Sequence, residues 1–358
     1  MQKTLKILII LLMIPVIFQP CMGFGDLNIT SPINGKILEF DEKTNGYSFL
    51  VIGHAYGAPY SPSVYPSSSL LAKIDLINQN NASFIVLTGD NFRNADNTNI
   101  ENFIGSFSSK INIPIFNSAG NHDLTNRSLY EKYFGITYYR FCYGSDYYII
   151  LDSEKNHGEI IGDQLEFLRN SLNEISGSDN VNNVFIFSHK LIWTVKNPEF
   201  QIVYNNLNSQ GGYANSDNFI SCLKPELVNI SENKQIYLIS GDIGRKQSYP
   251  IFYHKDDNIT YIATGLGDTI NDAILKFTVL QDGKVNVQPI SLTGNDLSNI
   301  DTFGIEFWEN HFLDISNTET ISARILRIIN NLYFKLGILF TICILGVFFI
   351  FIWRYRKL

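Results

Sequence analysis

Five short apolar runs, each followed by a polar residue, constrain the fold of this chain more than any other feature. They are FLVIGHAYG (49–57), FIVLTGD (84–90), IPIFNSAGNHD (113–123), VFIFSHK (184–190) and IYLISGD (236–242). Apolar runs of this length, stopped by glycine or a polar residue, are typical of strands buried on both faces. The sequence therefore predicts buried strands that end in side chains able to bind a metal or move a proton.

Amphipathic segments lie between several of these runs. Residues 68–79 and 162–175 place their apolar side chains at helical spacing. Residues 138–153 predict a hairpin, and residues 249–290 predict several antiparallel strands. Strands that alternate with helices indicate βαβ units, so we expect an α/β fold.

The composition is that of a globular protein and argues against a nucleic-acid partner. The chain has 358 residues, of which 45% are hydrophobic and 17% charged, enough to bury a large core. Its net charge is -7, and it has no long basic block. A nucleic-acid partner needs a concentrated lysine and arginine footprint, which this sequence lacks.

The N-terminus predicts export from the cytoplasm. Two lysines precede an apolar run over residues 7–18, and small residues follow before residue 24. This pattern fits a signal peptide over residues 1–23. Lipidation at Cys21 is the alternative, but the Phe-Gln-Pro before it lacks the small residues typical of a lipoprotein signal.

The C-terminus predicts a membrane anchor. Residues 336–353 carry no charge, and their length is close to the roughly 20 residues that cross a bilayer as a helix. A buried core helix is the alternative. Together with the export signal, the charged tail at residues 354–358 predicts a single-pass helix with that tail in the cytoplasm and the body on the extracytoplasmic side.

The remaining segments complete the predicted organisation. Residues 24–46 form an N-terminal extension, residues 47–294 the main domain, and residues 295–335 a stem that leads to the membrane. Export would place Cys142 and Cys222 in an oxidising compartment, which permits one disulfide. The sequence has no CxxC pair, so a thiolate zinc site is not supported.

The polar residues that follow the strands form a set of oxygen and nitrogen donors. In an open α/β sheet, ligands bind beyond the carboxyl ends of the strands. Carboxylate, carboxamide and imidazole groups suit divalent ions such as Mn, Fe or Zn. An aspartate after a strand is also a common turn former or helix cap. The candidates are His54, Asp90, Asn121, His122, Asp123, His189 and Asp242.

These motifs resemble those of the calcineurin-like metallophosphoesterases. The resemblance covers roughly residues 47–290 and rests on Gly89-Asp90, on Gly120-Asn121-His122-Asp123 and on His189, in the order and strand context of that family. It implies an α/β, metallophosphoesterase-type four-layer sandwich, in which two mixed β-sheets are flanked by helices. It also implies a phosphate-ester substrate.

The first and last motifs of the family are altered in this sequence. Its Asp-x-His becomes His54-Ala55-Tyr56, and its Gly-His-x-His becomes Gly241-Asp242-Ile243-Gly244. By resemblance, one metal ion is held by Asp90, Asn121, His189 and Asp242, and His54 either completes this site or supports a weaker second ion. We therefore expect one well-formed site for a divalent ion, either Mn, Fe or Zn.

The resemblance also implies catalytic roles. His122 is the expected general acid, or the group that stabilises the leaving oxygen, and Asp123 is expected to fix its tautomer. Lys190, Arg245 and Lys246 are candidates to neutralise substrate charge. The alternative for each is an ordinary basic residue on the surface.

The predicted function is that of an exported, membrane-anchored phosphoesterase, which hydrolyses phosphomonoesters or phosphodiesters with metal-activated water. The alternative is a binding or scaffolding module of the cell envelope that keeps the fold without turnover, because a fold does not determine a function. A third possibility is hydrolysis of a non-phosphate substrate.

Overall fold

The computed structural model of the chain describes residues 29–40, 46–58, 61–207, 218–243 and 251–311. Those up to Phe303 belong to one compact unit, and residues 304–311 belong to a second. The predicted signal peptide, transmembrane helix and cytoplasmic tail lie outside the described residues, as does the stem beyond residue 311. Within the described ranges, no helix is long and apolar enough to cross a bilayer.

The described residues of the first unit form strands and mostly short helices. The strands are β1 (Ile29–Thr30), β2 (Ile37–Leu38), β3 (Tyr47–Ile52), β4 (Phe84–Leu87), β5 (Ile115–Asn117), β6 (Tyr139–Tyr143), β7 (Asp146–Ile150), β8 (Asn183–Ser188), β9 (Gln235–Ser240), β10 (Ile251–Asp256), β11 (Ile259–Thr264), β12 (Ala273–Val279) and β13 (Val285–Ser291). The helices are α1 (Ser68–Leu71), α2 (Ile74–Asn78), α3 (Asn97–Ser106), α4 (Arg127–Phe134), α5 (Asp163–Ser176), α6 (Gln201–Asn205) and α7 (Lys224–Ser231).

Two mixed sheets form the centre of this unit. One has the order β13-β12-β3-β4-β5, in which β3, β4 and β5 are parallel and β12 is antiparallel to both of its neighbours. The other has the order β10-β11-β9-β8-β7-β6, in which the four inner strands are parallel and the two outer strands antiparallel. The mixed α/β fold predicted from the sequence is confirmed.

The region 249–290 differs in part from its predicted arrangement. The pairs β10–β11 and β12–β13 are antiparallel, as expected. However, β11 pairs in parallel with β9, and β12 belongs to the other sheet. The alternation of apolar residues shows that a segment is a strand, but it does not show which neighbour that strand pairs with.

Aromatic side chains fill the space between the two sheets. The ring of Phe49 in β3 lies 5.1 Å from that of Phe185 in β8 and 5.5 Å from that of Tyr148 in β7. Each fully buried ring of this kind contributes roughly 2 to 3 kcal/mol to stability. Because side chains alternate along a strand, Leu50 and Ile52 of β3 face the other way and pack against α1 to α4. Burial on both faces explains why this run is apolar throughout.

Helices also cover the outer face of the six-stranded sheet. Leu168 of α5 and Leu227 of α7 line a small apolar space together with Ile186 of β8 and Leu238 of β9. The layers are therefore helices, sheet, sheet and helices.

The described part of the N-terminal extension packs on an edge strand. Between β1 and β2, the Ser31 hydroxyl hydrogen bonds to both backbone groups of Ile115 in β5. This contact covers the edge of the five-stranded sheet, which would otherwise expose unpaired backbone groups.

The two cysteines of the predicted main domain do not pair with each other. Cys142 in β6 is disulfide-bonded, whereas Cys222 carries a free thiol. The disulfide that the sequence permitted between these two residues is therefore not formed.

A buried carboxyl group connects the two sheets away from the polar strand ends. Asp146, the first residue of β7, accepts hydrogen bonds from the backbone and side-chain amides of Asn183 at 3.0 and 2.7 Å. It also accepts one from the hydroxyl of Tyr47 in β3. Burial raises the pKa of Asp146 to about 6, although these hydrogen bonds act in the opposite direction.

This carboxyl group predicts a pH-dependent stability. The folded carboxyl binds its proton more tightly than the unfolded one, whose pKa is 3.8. Its contribution to the free energy of unfolding is therefore complete below pH 3.8 and is lost as the pH rises through about 6. Relative to Asp146→Asn, we expect the parent to lose up to roughly 3 kcal/mol of unfolding free energy across this window.

Urea denaturation of parent and variant on both sides of this pH window measures the difference. Asp179→Asn, at an exposed position, is the matched control and should show no such trend. A parent–Asp146→Asn difference that stays constant with pH would contradict the expected burial of the charge.

Candidate functional site

The carboxyl ends of four strands meet at one edge of the two sheets. After β3, the His54 N–H donates to the Gly89 carbonyl beyond β4 at 3.0 Å. After β9, the N–H groups of Gly241 and Asp242 donate to the His189 carbonyl beyond β8 at 2.9 and 2.8 Å. These backbone hydrogen bonds bring together residues that are far apart in the sequence.

The loop after β5 approaches the same place closely because it contains a glycine. A methyl group on Gly120 would collide with Asp90 Oδ1 and would lie 2.5 Å from the Asp90 backbone nitrogen. His54 and Asp90 have positive φ angles of 54° and 56°. Non-glycine residues adopt this left-handed conformation rarely, and such strain concentrates at functional sites.

Asp90 lies at the centre of the group. Its Oδ2 is 3.3 Å from His54 Nε2, and its Oδ1 is 3.4 Å from His189 Nε2. Oδ1 also accepts a hydrogen bond from the His122 backbone N–H at 3.0 Å. Burial alone would raise the pKa of Asp90, but the positive charges of His189 and His54 outweigh it and lower the pKa.

Three histidine rings are oriented in the same manner by backbone carbonyls. Because a carbonyl only accepts hydrogen bonds, each Nδ1 must carry a proton. The Nε2 atom of each ring is then left to face the site, an arrangement typical of histidines that bind metals. The pairs are His54 with Gly57 (3.0 Å), His189 with Thr88 (2.9 Å) and His122 with Arg93 (2.6 Å).

His189 is the most enclosed of these rings. It is fully buried, and its Nε2 has no hydrogen-bond partner among the described residues. Burial lowers the pKa of His189, but the charges of Asp90 and Asp242 raise it more, to about 9. A buried nitrogen without a partner is costly unless it serves a ligand.

The distances fit ligands of a divalent ion. Two ligands about 2.1 Å from one tetrahedral ion lie about 3.4 Å apart, close to the separations of His54 and His189 from Asp90. Asp242 is buried, and its charge acts on both histidines. Over the described ranges, however, no three His, Cys, Asp or Glu side chains converge closely enough to enclose an ion as they stand. A complete site therefore needs a further ligand or a small movement of these side chains.

Asn121 is placed differently from the other candidates. Its side chain is exposed, in the turn that follows Gly120. Hydrogen bonds among the described residues position His54, His122 and His189, but none of them involves the Asn121 amide.

Asp123 holds the loops and does not contact the His122 ring. Its carboxylate accepts hydrogen bonds from the backbone N–H groups of Asp90, Asn91 and Gly120, at 2.8 to 2.9 Å. The prediction that Asp123 fixes the His122 tautomer is wrong, because the carbonyl of Arg93 does so. Burial and the charge of Asp90 raise the pKa of Asp123 to about 7.

Tyr56 covers one side of the site. Its hydroxyl lies 3.3 Å from His122 Nε2, and its ring lies 4.6 Å from that of His54. Burial raises the pKa of Tyr56, and its hydroxyl can hydrogen bond with His122 Nε2.

Comparison with known protein families identifies the family of this chain. The sequence profile of the calcineurin-like phosphoesterases matches residues 64–243, about half of the chain. The chain belongs to this family. No curated protein sequence matches it.

Solved structures agree with the fold of this calcineurin-like phosphoesterase. A dimetal phosphatase from Danio rerio is 12% identical, with a TM-score of 0.50, and the match covers 70% of this chain and 97% of that chain. A purple acid phosphatase from yellow lupin (Lupinus luteus) seeds is 11% identical, with a TM-score of 0.46, and the match covers 72% of this chain and 53% of that chain. At 12% identity, the likeness to the Danio rerio structure concerns the fold alone.

In this calcineurin-like phosphoesterase, Lys190 is not the surface base that the sequence suggested. Its Nζ lies 2.8 Å from Glu154 Oε2, and both side chains are more than nine-tenths buried. The positive charge of Lys190 is therefore balanced inside the protein. The other two candidates, Arg245 and Lys246, lie outside the described residues.

Sequence reasoning missed the backbone carbonyls of Gly57, Thr88 and Arg93, which orient the three histidines. Any residue type can supply a backbone carbonyl, so the sequence carries no signal for these contacts.

Proposed function

We propose that this calcineurin-like chain is a metal-dependent hydrolase of phosphomonoesters or phosphodiesters. The observation that carries the proposal is the buried Nε2 of His189, which makes no hydrogen bond among the described residues and lies 3.4 Å from Asp90 Oδ1, with His54 on the other oxygen of the same carboxylate. Membership of the family and the fold shared with a dimetal phosphatase support a phosphate-ester substrate and a divalent ion.

The proposed centre has one well-formed metal site. Asp90, His189, Asp242 and Asn121 would hold one Mn, Fe or Zn ion, and His54 would complete this site or support a weaker second ion. The Tyr56 hydroxyl is engaged with His122, which supports a single strong site.

The other residues of the site hold one another in position, and one of them transfers a proton. A bound divalent ion lowers the pKa of a coordinated water and polarises a phosphoryl oxygen. His122, held at Nδ1 by Arg93, presents Nε2 toward the site and in its protonated form donates to the leaving oxygen. Tyr56 holds the His122 ring in place. Asp123 keeps the Asp90 and Gly120 loops together.

The proposal also includes the cellular location of the phosphoesterase domain. Residues 1–23 and 336–353 support export and a single-pass anchor, which would place the phosphoesterase domain on the extracytoplasmic side.

Replacing His122 tests the assignment. In the full-length chain, we expect His122→Ala to keep its bound metal and to lose hydrolysis of nitrophenyl phosphate esters by about 100- to 10,000-fold, as is typical for removal of an acid catalyst. Elemental analysis and an assay with added Mn, Fe or Zn measure the two effects. His157→Asn is the matched control, since His157 is exposed and asparagine tolerates its positive φ of 54°.

Two outcomes would contradict the proposal. A parent chain that binds no metal and shows no hydrolysis that depends on His122 would favour the binding or scaffolding module. Loss of metal in His122→Ala would show that His122 is a ligand and not the proton donor.

A further inference from the structure

The carboxylate of Asp268, in the loop between β11 and β12, holds the loop that follows β3. Its Oδ2 accepts a hydrogen bond from the backbone N–H of Ala58 at 2.8 Å, and its Oδ1 accepts one from the Ser67 hydroxyl at 2.7 Å. The residue is exposed, yet both of its oxygens bind groups more than 200 positions earlier in the chain. Asp268 therefore links two loops that only the fold brings together.

The peptide unit that Asp268 holds is the one that orients His54. The Gly57 carbonyl and the Ala58 N–H belong to the same peptide, whose atoms lie in one plane and point in opposite directions. The N–H donates to Asp268, and the carbonyl accepts the Nδ1 proton of His54 at 3.0 Å. The ring then presents its Nε2 to Asp90 Oδ2 at 3.3 Å. A continuous line of contacts thus runs from Asp268 to the proposed metal centre.

Gly57 permits the close approach of the carboxylate. Its φ is 81°, and a methyl group at this position would lie 2.6 Å from both carboxylate oxygens of Asp268. Glycine adopts a positive φ without strain and leaves room for the contact. The Gly57 N–H also donates to the His54 carbonyl at 2.9 Å, which closes the turn over residues 54–57.

Asp268 is itself held in position by Asp272. The buried Asp272 carboxylate accepts hydrogen bonds from the N–H groups of Gly267 and Thr269, on either side of Asp268, at 3.1 and 3.0 Å. Its other oxygen accepts the Ser69 hydroxyl at 2.8 Å. These contacts keep Asp268 at a positive φ of 53°, a conformation that persists only where the surroundings enforce it.

We infer that Asp268 is a positioning residue that orients His54 toward the metal through the peptide between Gly57 and Ala58. This role rests on the proposed function, in which His54 completes the metal site or supports a weaker second ion. Histidines that bind metals commonly donate their second nitrogen to a carboxylate or a carbonyl. Here the carboxylate acts through a carbonyl. A charged acceptor on the N–H polarises the amide and strengthens the hydrogen bond that its carbonyl accepts.

The tautomer of His54 in the metal-free, full-length chain tests this role. NMR of isotope-labelled histidine distinguishes a proton on Nδ1 from one on Nε2 under mildly alkaline conditions, where a histidine of ordinary pKa is neutral. The signals that disappear in His54→Asn belong to His54. We expect the parent to carry the proton on Nδ1 alone, and Asp268→Gly, which removes both acceptors and tolerates the positive φ, to show both tautomers.

Asp268→Asn separates geometry from charge. Its amide oxygen can still accept the Ala58 N–H, and its amide nitrogen can donate to Ser67, although the negative charge is gone. We therefore expect Asp268→Asn to keep the parent tautomer. Ser67→Ala removes one of the two hydrogen bonds to the carboxylate, and we expect a smaller fraction of the second tautomer. It keeps the experiment informative if Asp268→Gly folds poorly.

Titration of the same proteins with buffered Zn measures the consequence for the metal. The ion that His54 holds is the one whose affinity falls in His54→Asn. We expect Asp268→Gly to weaken this ion by about 10-fold, the lower end of the range for groups that orient a metal ligand. Asp268→Asn should bind it nearly as tightly as the parent.

Asp257→Gly is the matched control. Asp257 is exposed in the turn at the other end of β11 and has a similar positive φ of 50°. The same substitution there should leave both the His54 tautomer and the affinity for Zn at the parent values.

Three results would overturn the role of Asp268. They are a proton on Nδ1 alone in both Asp268→Gly and Ser67→Ala, an Asp268→Asn variant that behaves like Asp268→Gly, and an unchanged affinity for Zn in Asp268→Gly. Metal content and nitrophenyl ester hydrolysis of the parent judge the proposed function separately. An active, metal-loaded parent in which Asp268→Gly alters neither the tautomer nor the affinity would reject the role of Asp268 alone.

Discussion

Asp90→Asn is expected to empty the metal centre, with a loss of affinity for Mn or Zn of more than about 100-fold. The Asp90 carboxylate faces His54 with one oxygen and His189 with the other. Asparagine keeps the shape and the oxygen that accepts the His122 N–H, but it removes the negative charge and one of the two donor oxygens. Elemental analysis after dialysis, and titration of the full-length chain with buffered metal, measure the loss.

Asp75→Asn is the matched control for this substitution. Asp75 is exposed on α2 and lies outside the proposed site, so its replacement should leave metal content at the parent value. Thermal unfolding of the metal-free proteins separates loss of a ligand from loss of the fold. If Asp90→Asn bound as much metal as the parent, Asp90 would not be the central ligand.

Gly120→Ala is expected to damage both the site and the stability of the chain. The added methyl group would collide with Asp90 Oδ1 and would lie 2.5 Å from the Asp90 nitrogen, which donates to Asp123. One of these loops must move, and overpacking of this kind costs about 1 to 3 kcal/mol. We therefore expect a lower midpoint in urea and reduced metal content.

Gly105→Ala is the matched control, because it makes the same change where there is room. Gly105 is exposed in α3, and a methyl group there would meet no atom within 4 Å. Alanine is favoured over glycine in a helix by about 1 kcal/mol, so this variant should be as stable as the parent or more stable. Unchanged stability and metal content in Gly120→Ala would show that the Asp90 loop can shift without loss.

Local patterns in the sequence predicted most elements of the fold. The apolar runs correspond to β3, β4, β5, β8 and β9, and the predicted helix 162–175 corresponds to α5. The predicted helix 68–79 is interrupted between α1 and α2. The pairing of β11 with β9 could not be predicted, since it joins segments by contacts that strand periodicity does not encode.

The sequence by itself determined which donors this chain has and that they follow buried strands. That much is local, because strand periodicity and a terminating glycine are visible within about ten residues. Only the tertiary structure decided what each side chain does. The Arg93 carbonyl fixes the His122 tautomer, and Asp123 supports the loops instead of orienting His122. Among the described residues, Arg93 Nη1 has no hydrogen-bond partner. The physical reason is that hydrogen-bond partners come from distant parts of the chain. His189, for example, hydrogen bonds to the carbonyl of Thr88, which lies 101 positions earlier in the sequence.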